Sequence, residues 1–278
     1  MSSGSRSRVW LITGCSSGLG FALAKEVLSA GYRAVVTARR PQTISEFESQ
    51  HPDRALVHRL DVTKVDEVNA TVKAALEKFG RVDVLVNNAG YGLVGALEEV
   101  EDQEIRDLFE TNVYGALNMI RAILPSMRTQ KSGHIINLSS NGGFVGRAGA
   151  GVYCGTKFAL EGLSEVLAAE VGPLGIKVTI AEPGPFRTDF LGRSIVWSRK
   201  IIPDYDPTSG GYRQYVKAAH GHQVGDPTLA ARAMINVVEA PNPPLRLVLG
   251  HIALGLIREK LASVSRELDA WEKVTLSA

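Results

Sequence analysis

A tyrosine and a lysine stand four residues apart at Tyr153 and Lys157. On a helix this spacing puts both side chains on one face, one turn apart. An ammonium group beside a phenol favours the phenolate and lowers the pKa of the phenol from about 10. Such a tyrosine can exchange a proton with a substrate alcohol or ketone near neutral pH. The spacing is common by itself, but here it follows a strand-like segment that ends in Ser139 and Ser140, thirteen residues before Tyr153.

A glycine-rich segment from Thr13 to Gly20 joins the first apolar run to the first helical pattern. Glycines permit a tight turn and let backbone N–H groups approach a pyrophosphate, and a helix that begins there adds unpaired donors and a partial positive charge. The chain has 28 glycines, so a glycine turn alone is weak evidence. Its position between the first strand and the first helix favours dinucleotide binding over an ordinary turn.

These residues need a scaffold, and the hydrophobic pattern supplies one. Near-continuous apolar strands that are each followed by a helix predict a parallel sheet covered on both faces, and right-handed crossovers make that sheet doubly wound. We therefore predict an α/β Rossmann fold of about seven strands. The predicted strands span residues 9–12, 34–37, 55–57, 82–86, 134–138, 177–180 and 245–249, and the predicted helices 21–30, 65–79, 103–112, 114–127, 152–171, 228–238 and 252–271.

No repeat, low-complexity tract or linker divides the chain, so we predict one domain over residues 1–278. Residues 183–227 interrupt the alternation and carry glycines, prolines and several aromatic residues. Such insertions usually form lids or binding loops. The large apolar side chains of the insertion either enclose a lipophilic substrate, or pack on the insertion itself or at a subunit contact. The broad apolar stripe of the last helix predicts packing on the sheet edge or on a partner subunit.

The composition excludes several classes of protein. The 278 residues are 45% hydrophobic and 22% charged, as in ordinary globular proteins, and a formal charge of +2 gives no argument for nucleic-acid binding. Cys15 and Cys154 cannot form a disulfide framework and lack a metal-ligand spacing, so we expect no metal. Residues 1–8 have no apolar core and no apolar run is long enough to span a membrane, so we expect a cytoplasmic protein without a secretory signal.

The spacing of Gly14, Gly18 and Gly20 resembles the first turn of the short-chain dehydrogenase/reductase family, which reads Thr-Gly-x-x-x-Gly-x-Gly. The segment Asn87-Asn88-Ala89-Gly90 matches the family's Asn-Asn-Ala-Gly motif, which supports the sheet and the adenosine side of the cofactor. The resemblance covers about residues 8–250. It implies a nicotinamide-dependent oxidoreductase with the predicted Rossmann fold.

The same resemblance assigns catalytic roles. Ser140, Tyr153 and Lys157 stand in the order of the family's catalytic set. By that match Ser140 holds the substrate oxygen, Tyr153 is the general acid/base, and Lys157 also binds the nicotinamide ribose. Asn112 matches the fourth member, which holds a water in a proton relay to the lysine. An ordinary polar contact inside a helix is the alternative for Asn112.

The resemblance also implies a set of cofactor contacts. Asp61 and Val62 match the position that holds the adenine ring, although Asp61 could equally cap the following helix. Thr188 and the preceding Pro-Gly segment match the part that holds the nicotinamide carboxamide; Glu182, just before it, receives no role. The implied cofactor-binding residues are Gly14, Ser16, Ser17, Gly18, Leu19, Gly20, Arg39, Arg40, Asp61, Val62, Asn88, Ala89, Gly90, Tyr153, Lys157, Pro183, Gly184 and Thr188.

The end of the second predicted strand bears on the choice of cofactor. NAD-binding proteins normally carry a carboxylate there for the ribose hydroxyls, whereas this chain has Ala38, followed by Arg39 and Arg40. A guanidinium group pairs well with a 2′-phosphate, and a carboxylate would repel it. In the family, an arginine at the position of Arg39 marks NADP preference. We therefore predict NADP(H), with a solvated surface pair as the alternative for the two arginines.

Together these features predict an NADP(H)-dependent enzyme that interconverts a ketone or aldehyde and an alcohol on a small lipophilic molecule. Two other interpretations stay open: a cofactor-binding sensor or scaffold without turnover, and a relative that runs epimerisation or dehydration. The family mostly forms dimers or tetramers, so the resemblance implies a homodimer or homotetramer. The sequence does not name the substrate.

Overall fold

A computed structural model describes residues 8–278 of the protein. Residues 1–7 lie outside the described part. They include the start of the predicted domain and most of the segment that we predicted to lack a secretory signal. Seven parallel strands form one sheet in the order β3-β2-β1-β4-β6-β7-β9. They are β1 (Val9–Ile12), β2 (Arg33–Ala38), β3 (Ala55–Arg59), β4 (Val84–Asn87), β6 (Gly133–Leu138), β7 (Ile176–Pro183) and β9 (Arg246–Leu249). This single Rossmann domain confirms the predicted fold class.

Helices cover both faces of the sheet, as near-continuous apolar strands require. Along β1, Trp10 and Ile12 pack into one core and Val9 and Leu11 into the other. The first core includes α1 (Gly18–Ser29), α2 (Glu46–Gln50) and α8 (Pro227–Glu239). The second includes α3 (Val65–Phe79), α5 (Gly115–Gln130) and α6 (Gly151–Val171). The sheet order reverses between β1 and β4, where open α/β sheets bind ligands.

The insertion is more structured than a loop. It contains β8 (Ile195–Trp197) and α7 (Gly211–Ala219), and β8 pairs in parallel with β5 (Gly92–Val94) in a separate two-stranded sheet. The sequence did not predict β5, β8, α2 or α7. The three-residue strands β5 and β8 are too short to show an alternating hydrophobic pattern, so only their pairing identifies them.

Two helical regions depart from the prediction. Between α4 (Asp102–Phe109) and α5, residues Glu110–Tyr114 form a turn of π-helix. The last helix, α9 (His251–Thr275), packs on the domain only near its start, where Ala253 and Ile257 are buried; Leu268 and Trp271 are exposed. Packing on the sheet edge therefore holds only for its first turns. Within residues 8–278, every helix is too short or too polar to cross a membrane.

Candidate active site

A cavity of about 1060 Å³ opens at the carboxyl ends of the central strands. The glycine turn, Arg39, the ends of β4 and β6, the start of α6 and part of the insertion surround it. Ser140, Tyr153, Lys157 and Thr188 all line this one cavity, although they lie far apart in sequence. The structure therefore brings together three of the four predicted catalytic residues and most of the predicted cofactor residues.

The glycine turn has the backbone that the sequence requires. Gly14 and Gly18 have φ angles of +70° and +63°, a region that side chains disfavour. A Cβ on Gly14 would lie 2.8 Å from the Cα of Ala89. Helix α1 begins at Gly18 without a capping hydrogen bond from Ser17 and without an acidic residue in its first turn. These free N–H groups at a helix N-terminus suit an anionic pyrophosphate.

Asn88 fixes the turn from the neighbouring strand. Its Nδ2 donates to the carbonyl oxygens of Thr13 at 2.8 Å and Gly14 at 3.0 Å, and the hydroxyl of Thr13 accepts from the N–H groups of Asn88 and Ala89. A Cβ on Gly20 would lie 2.3 Å from Nδ2 of Asn88. Gly20 does not line the cavity, so its lack of a side chain serves this packing rather than a contact with a ligand.

The two arginines after β2 differ in placement. Both are exposed, but only Arg39 lines the cavity, beside Ala38, whereas Arg40 precedes the 3-10 turn Pro41–Ile44. The structure thus places Arg39 in the cavity lining and leaves Arg40 outside it. The end of β2 carries Ala38, so no acidic side chain stands at this position to accept hydrogen bonds from ribose hydroxyls.

Asp61 and Val62 line the cavity wall after β3. The carboxylate of Asp61 accepts hydrogen bonds from the backbone N–H and the hydroxyl of Thr63, at 3.0 and 2.8 Å. Helix α3 starts at Val65 with Lys64 as its N-cap. Capping by Asp61, the alternative left open by the sequence, is therefore wrong because the aspartate instead stabilises the turn before the helix.

Ser140 and Tyr153 meet at the inner end of the cavity. The Ser140 hydroxyl accepts from the N–H of Gly142 at 3.0 Å and donates to Oδ1 of Asn141 at 3.1 Å. Burial raises the pKa of Tyr153 well above its usual value, although a hydrogen bond with Ser140 opposes the rise. The ring of Phe190, from the insertion, lies 5.7 Å from the Tyr153 ring between centroids.

Lys157 lies beneath Tyr153 on the same face of α6. Its Nζ donates to the carbonyl oxygen of Leu138 at 2.7 Å and lies 5.8 Å from the centre of the tyrosine ring. Burial lowers the pKa of Lys157 to about 8, against the charge of Glu161. The predicted lowering of the tyrosine pKa is thus wrong for this structure, because burial raises the pKa of the phenol, and Nζ of Lys157 donates to Leu138 instead.

Asn112 sits in the π-helical turn and is buried. Its side chain bonds both backbone groups of Tyr91, at 3.1 and 2.9 Å, and donates to the Thr156 hydroxyl at 3.2 Å. A Cβ on Gly90 would lie 3.0 Å from Oδ1 of Asn112 and 3.8 Å from Nζ of Lys157. Asn112 therefore lies near the lysine but behind Gly90, outside the cavity lining. π-Helical turns occur frequently at functional sites.

The insertion closes the outer side of the cavity. Thr188 lies against the glycine turn: a Cβ on Gly18 would be 3.6 Å from the Cβ of Thr188. Arg193 donates from its guanidinium to the carbonyl oxygen of Ser16 at 3.0 Å and also lines the cavity. The sequence did not predict a role for Arg193, and no motif could have found it, because only the folded insertion brings it to the turn.

The apolar residues of the insertion divide between the two expected roles. Phe190, Leu191, Val196, Tyr212 and Tyr215 line the cavity. Others serve the insertion or face outward: Ile195 packs on Gly92, Tyr205 donates to Glu98, and Ile201 is 62% exposed. Val145, Ile252 and Leu256 add apolar surface from other segments. Within residues 8–278, no cluster of histidine, cysteine and acidic side chains could hold a metal ion.

A parallel Rossmann sheet with a glycine turn after its first strand is typical of dinucleotide-binding proteins. A family model described as short chain dehydrogenase matches residues 8–197. The chain belongs to the short-chain dehydrogenase/reductase family and is an oxidoreductase of that family. This confirms the resemblance drawn from its motifs.

Several relatives match nearly the whole chain. Oxidoreductase BOA17 of Botryotinia fuckeliana is 36% identical over 98% of this chain and 99% of its own. Human retinol dehydrogenase 8 is 36% identical over 86% of this chain and 80% of its own. A crystal structure of a short-chain dehydrogenase from Streptomyces avermitilis is 44% identical, with a TM-score of 0.92 over 98% of this chain and 99% of that one.

Similar structures have been solved with either nicotinamide cofactor. A metagenomic short-chain oxidoreductase in complex with NADP is 34% identical, with a TM-score of 0.61 over 65% of this chain and 84% of that one. A Burkholderia phymatum enzyme in complex with NAD shares the fold at 23% identity, with a TM-score of 0.82 over 94% and 95% of the two chains. Both cofactors therefore occur on this fold.

Proposed function

We propose that this protein is an NADP(H)-dependent oxidoreductase that interconverts a ketone or aldehyde and a secondary or primary alcohol. The observation that carries the proposal is one cavity lined by Ser140, Tyr153 and Lys157 on one side and by the glycine turn on the other. This arrangement sets a proton-transferring group beside the site for a nicotinamide dinucleotide. Proximity and preorganised polar groups then supply the rate acceleration.

Each polar group has a distinct task in this proposal. Ser140 holds the substrate oxygen, and Tyr153 gives that oxygen a proton during reduction or takes one during oxidation. Burial raises the pKa of the Tyr153 hydroxyl, and the hydrogen bond with Ser140 opposes that rise, so Ser140 also acts on the group that transfers the proton. Lys157 binds the nicotinamide ribose, and Asn112 orders the segment that holds Gly90 beside it. The bound nicotinamide supplies or accepts the hydride.

The choice of NADP(H) rests on Arg39, and the remaining contacts follow the cavity wall. The turn residues Gly14, Ser16, Ser17, Gly18 and Leu19 receive the pyrophosphate, and Asp61 and Val62 border the adenine. Pro183, Gly184 and Thr188 hold the nicotinamide amide.

Replacing Arg39 by Ala is expected to weaken NADPH binding about tenfold or more while changing NADH binding little, because only NADPH carries the 2′-phosphate. Equal losses, measured by nicotinamide fluorescence, would contradict this role.

The substrate we propose is lipophilic. Aromatic and aliphatic side chains of the insertion, together with Val145, Ile252 and Leu256, line the same cavity as Tyr153. Retinol, the alcohol for which the relative retinol dehydrogenase 8 is named, is of this kind and supports the proposal. Residues 183–227 then form the substrate lid of a single domain that includes residues 8–278.

The deciding experiment titrates NADPH and NADH by fluorescence and then adds a panel of lipophilic ketones and aldehydes. We expect tight NADPH binding and oxidation of NADPH by some members of the panel. Tyr153→Phe is the matched variant: it should abolish turnover and leave the Kd for NADPH within about twofold, because it removes only the proton-transferring hydroxyl. No binding of either nucleotide would refute the proposed function.

Two other functions remain outcomes of the same experiment. Tight NADPH binding without turnover on any substrate would favour a sensor or scaffold. Product formation without net change in the cofactor would favour epimerisation or dehydration. Residues 8–278 offer no specific observation for either, since Ser140, Tyr153 and Lys157 all line the cavity.

We also propose a homodimer or homotetramer. Tyr114, Phe158 and Val166 are apolar or aromatic residues on the faces of α6 and the turn before α5, and they are 51%, 45% and 57% exposed in the single chain. Burial of such side chains favours association. Sedimentation at micromolar concentration should show two or four chains, and a monomer would contradict the proposal.

A further inference from the structure

The catalytic face of α6 continues past the lysine. Tyr153, Lys157 and Glu161 follow one another at four-residue spacing, so they share one face of the helix. Glu161 is 5% exposed and meets Glu182 of β7, which is fully buried. No motif assigns Glu182 a role, and the proposed mechanism uses neither carboxyl group.

One guanidinium group forms ion pairs with both carboxyl groups. Nε of Arg246, on β9, lies 3.5 Å from Glu161 Oε2 and 3.3 Å from Glu182 Oε1. The same guanidinium also contacts the half-exposed Glu165, and it lies 5.8 Å from the centre of the Phe144 ring. The Arg246 guanidinium is thus shared among three carboxyl groups. None of the four oxygens of Glu161 and Glu182 accepts a well-aligned hydrogen bond from residues 8–278.

Two adjacent buried carboxylates repel each other, and a proton held between them removes that repulsion and supplies the missing hydrogen bond. The charges around the pair favour this state. Burial, and next the charge of Glu161, raises the pKa of Glu182 to about 7, while Arg246 opposes the rise. Burial also raises the pKa of Glu161, although the Ser139 hydroxyl and Arg246 oppose it.

The pair touches the proposed active site at two points. A Cβ on Gly143 would lie 2.3 Å from the Ser139 hydroxyl oxygen and 3.1 Å from Glu161 Oε1, so the serine and the glutamate flank the same glycine. Ser139 lines the cavity and precedes Ser140. The second point is Lys157, one helical turn from Glu161, whose negative charge favours the ammonium form of the lysine.

We propose that Glu161 and Glu182 share one proton and act as positioning residues, holding the Ser139–Ser140 strand end and Lys157 in the arrangement that hydride transfer requires. This inference rests on the proposed function for its kinetic consequence. Loss of the shared proton leaves two repelling carboxylates behind the strand end and adds a negative charge near Lys157. The groups that face the pair are Arg246 on β9, Glu165 and Lys157 on α6, and Ser139 at the end of β6.

The first test measures the shared proton without using enzyme activity. The folded-state pKa of Glu182 is raised, so the folded protein binds more protons than the unfolded chain between pH 4.5 and about 7. The stabilisation from this proton is complete below that window and is lost as the pH rises through it. The urea midpoint of the wild-type protein should therefore fall across the window more steeply than that of Glu182→Gln, whose amide donates permanently to Glu161.

Glu165→Gln is the matched control, because it removes a carboxylate that contacts the same arginine from the surface. It should keep the wild-type pH dependence. A Glu182→Gln protein whose urea midpoint parallels the wild type across the window would overturn the shared proton. This measurement decides that point even if no substrate is found, which separates its failure from failure of the proposed function.

The second test addresses positioning. With saturating NADPH and a reducible ketone, kcat of the wild type should fall by about threefold or more between pH 6 and pH 8 beyond any fall seen in Glu182→Gln. The Kd for NADPH should stay within about twofold, since the pair does not line the cavity. The Glu161→Gln variant, which removes the other carboxyl group of the pair, should also lose this fall in kcat between pH 6 and pH 8. A pH profile of unchanged shape in both variants would overturn the positioning role.

Discussion

Two buried glutamates show how differently one side chain can behave in two regions of the same molecule. Glu99, beside the insertion, and Glu182, behind the catalytic strand end, both have fully buried side chains. Glu99 accepts hydrogen bonds from the N–H groups of Ala96 and Ile202 and from Arg213, at 2.7, 2.8 and 2.7 Å. Glu182 accepts none from residues 8–278 that is well aligned.

Their pKa values move in opposite directions. Burial by itself would raise the pKa of Glu99, but the two backbone donors and the Arg213 guanidinium lower it below the usual value. Burial raises the pKa of Glu182 to about 7, and the negative charge of Glu161 adds to that rise. The donors around a buried carboxyl group, rather than its burial, therefore decide whether it is charged.

The difference in hydrogen bonding also suits the two glutamates to different roles, Glu99 as a fixed anchor and Glu182 as a group whose charge can change. Glu99 ties three segments together, because its partners lie next to β5, just after β8 and on α7. We interpret it as the residue that fastens the insertion to the domain. Glu182 has a neighbour that titrates with it, so its region can change charge near neutral pH.

Among the substitutions that test this comparison, replacing Glu99 by Ala is expected to have the largest effect on stability. The substitution leaves the largely buried Arg213 guanidinium with Asp206 as its remaining ion-pair partner among the described residues, and it leaves two backbone N–H groups without their acceptor. These losses should lower the free energy of unfolding by about 3–5 kcal/mol. Urea unfolding measures this, and hydrogen exchange should speed up in Gly211–Ala219. Glu98→Ala is the control, because that exposed side chain accepts a hydrogen bond from the half-buried Tyr205 at the surface, and the substitution should cost less than about 1 kcal/mol. Equal losses in both would refute the anchor.

Two glycines extend the comparison to backbone packing. A Cβ on Gly143 would lie 2.3 Å from the Ser139 hydroxyl oxygen, and a Cβ on Gly95 would lie 2.5 Å from that of Ser198. Substitution of either by Ala should destabilise the protein by about 1–3 kcal/mol through overpacking. Only Gly143→Ala should also lower kcat, since Ser139 lines the cavity beside Ser140. A similar fall in kcat for Gly95→Ala would show that the two regions are not functionally separate.

At acidic pH we expect a smaller effect on stability. It has the opposite pH dependence to that of Glu182, because stability is lost as the pH falls. The pKa of Glu99 is lowered in the folded state, so its contribution is present above the unfolded value near 4.5 and is lost as the pH falls through the folded value. The loss amounts to about 1.4 kcal/mol for each pKa unit of lowering. Glu99→Gln should lack it, whereas Glu182→Gln should keep it. Urea midpoints between pH 3 and pH 6 that fall equally in the wild type and Glu99→Gln would contradict the assignment.

Much of the sheet and its helices could be predicted from periodicity. Helix α3 has the predicted bounds, Val65–Phe79, because its apolar spacing is regular and Gly80 follows with a φ of +75°. The strands came within a few residues, since each is a short apolar run. The π-helical turn at Glu110–Tyr114 and the β5–β8 pair were missed, because one depends on local packing and the other on a partner far along the chain.

The sequence by itself determined the Rossmann fold, the glycine turn and the clustering of Ser140, Tyr153 and Lys157, because these depend on local periodicity and on motifs at strand ends. Only the tertiary structure decided that Arg39 and not Arg40 lines the cavity, that Arg193 contacts the glycine turn, and that two glutamates meet behind Lys157. The physical reason is that burial and hydrogen-bond partners come from segments far apart in sequence. The charge of Glu182 depends on Glu161 and Arg246, which no local pattern connects to it.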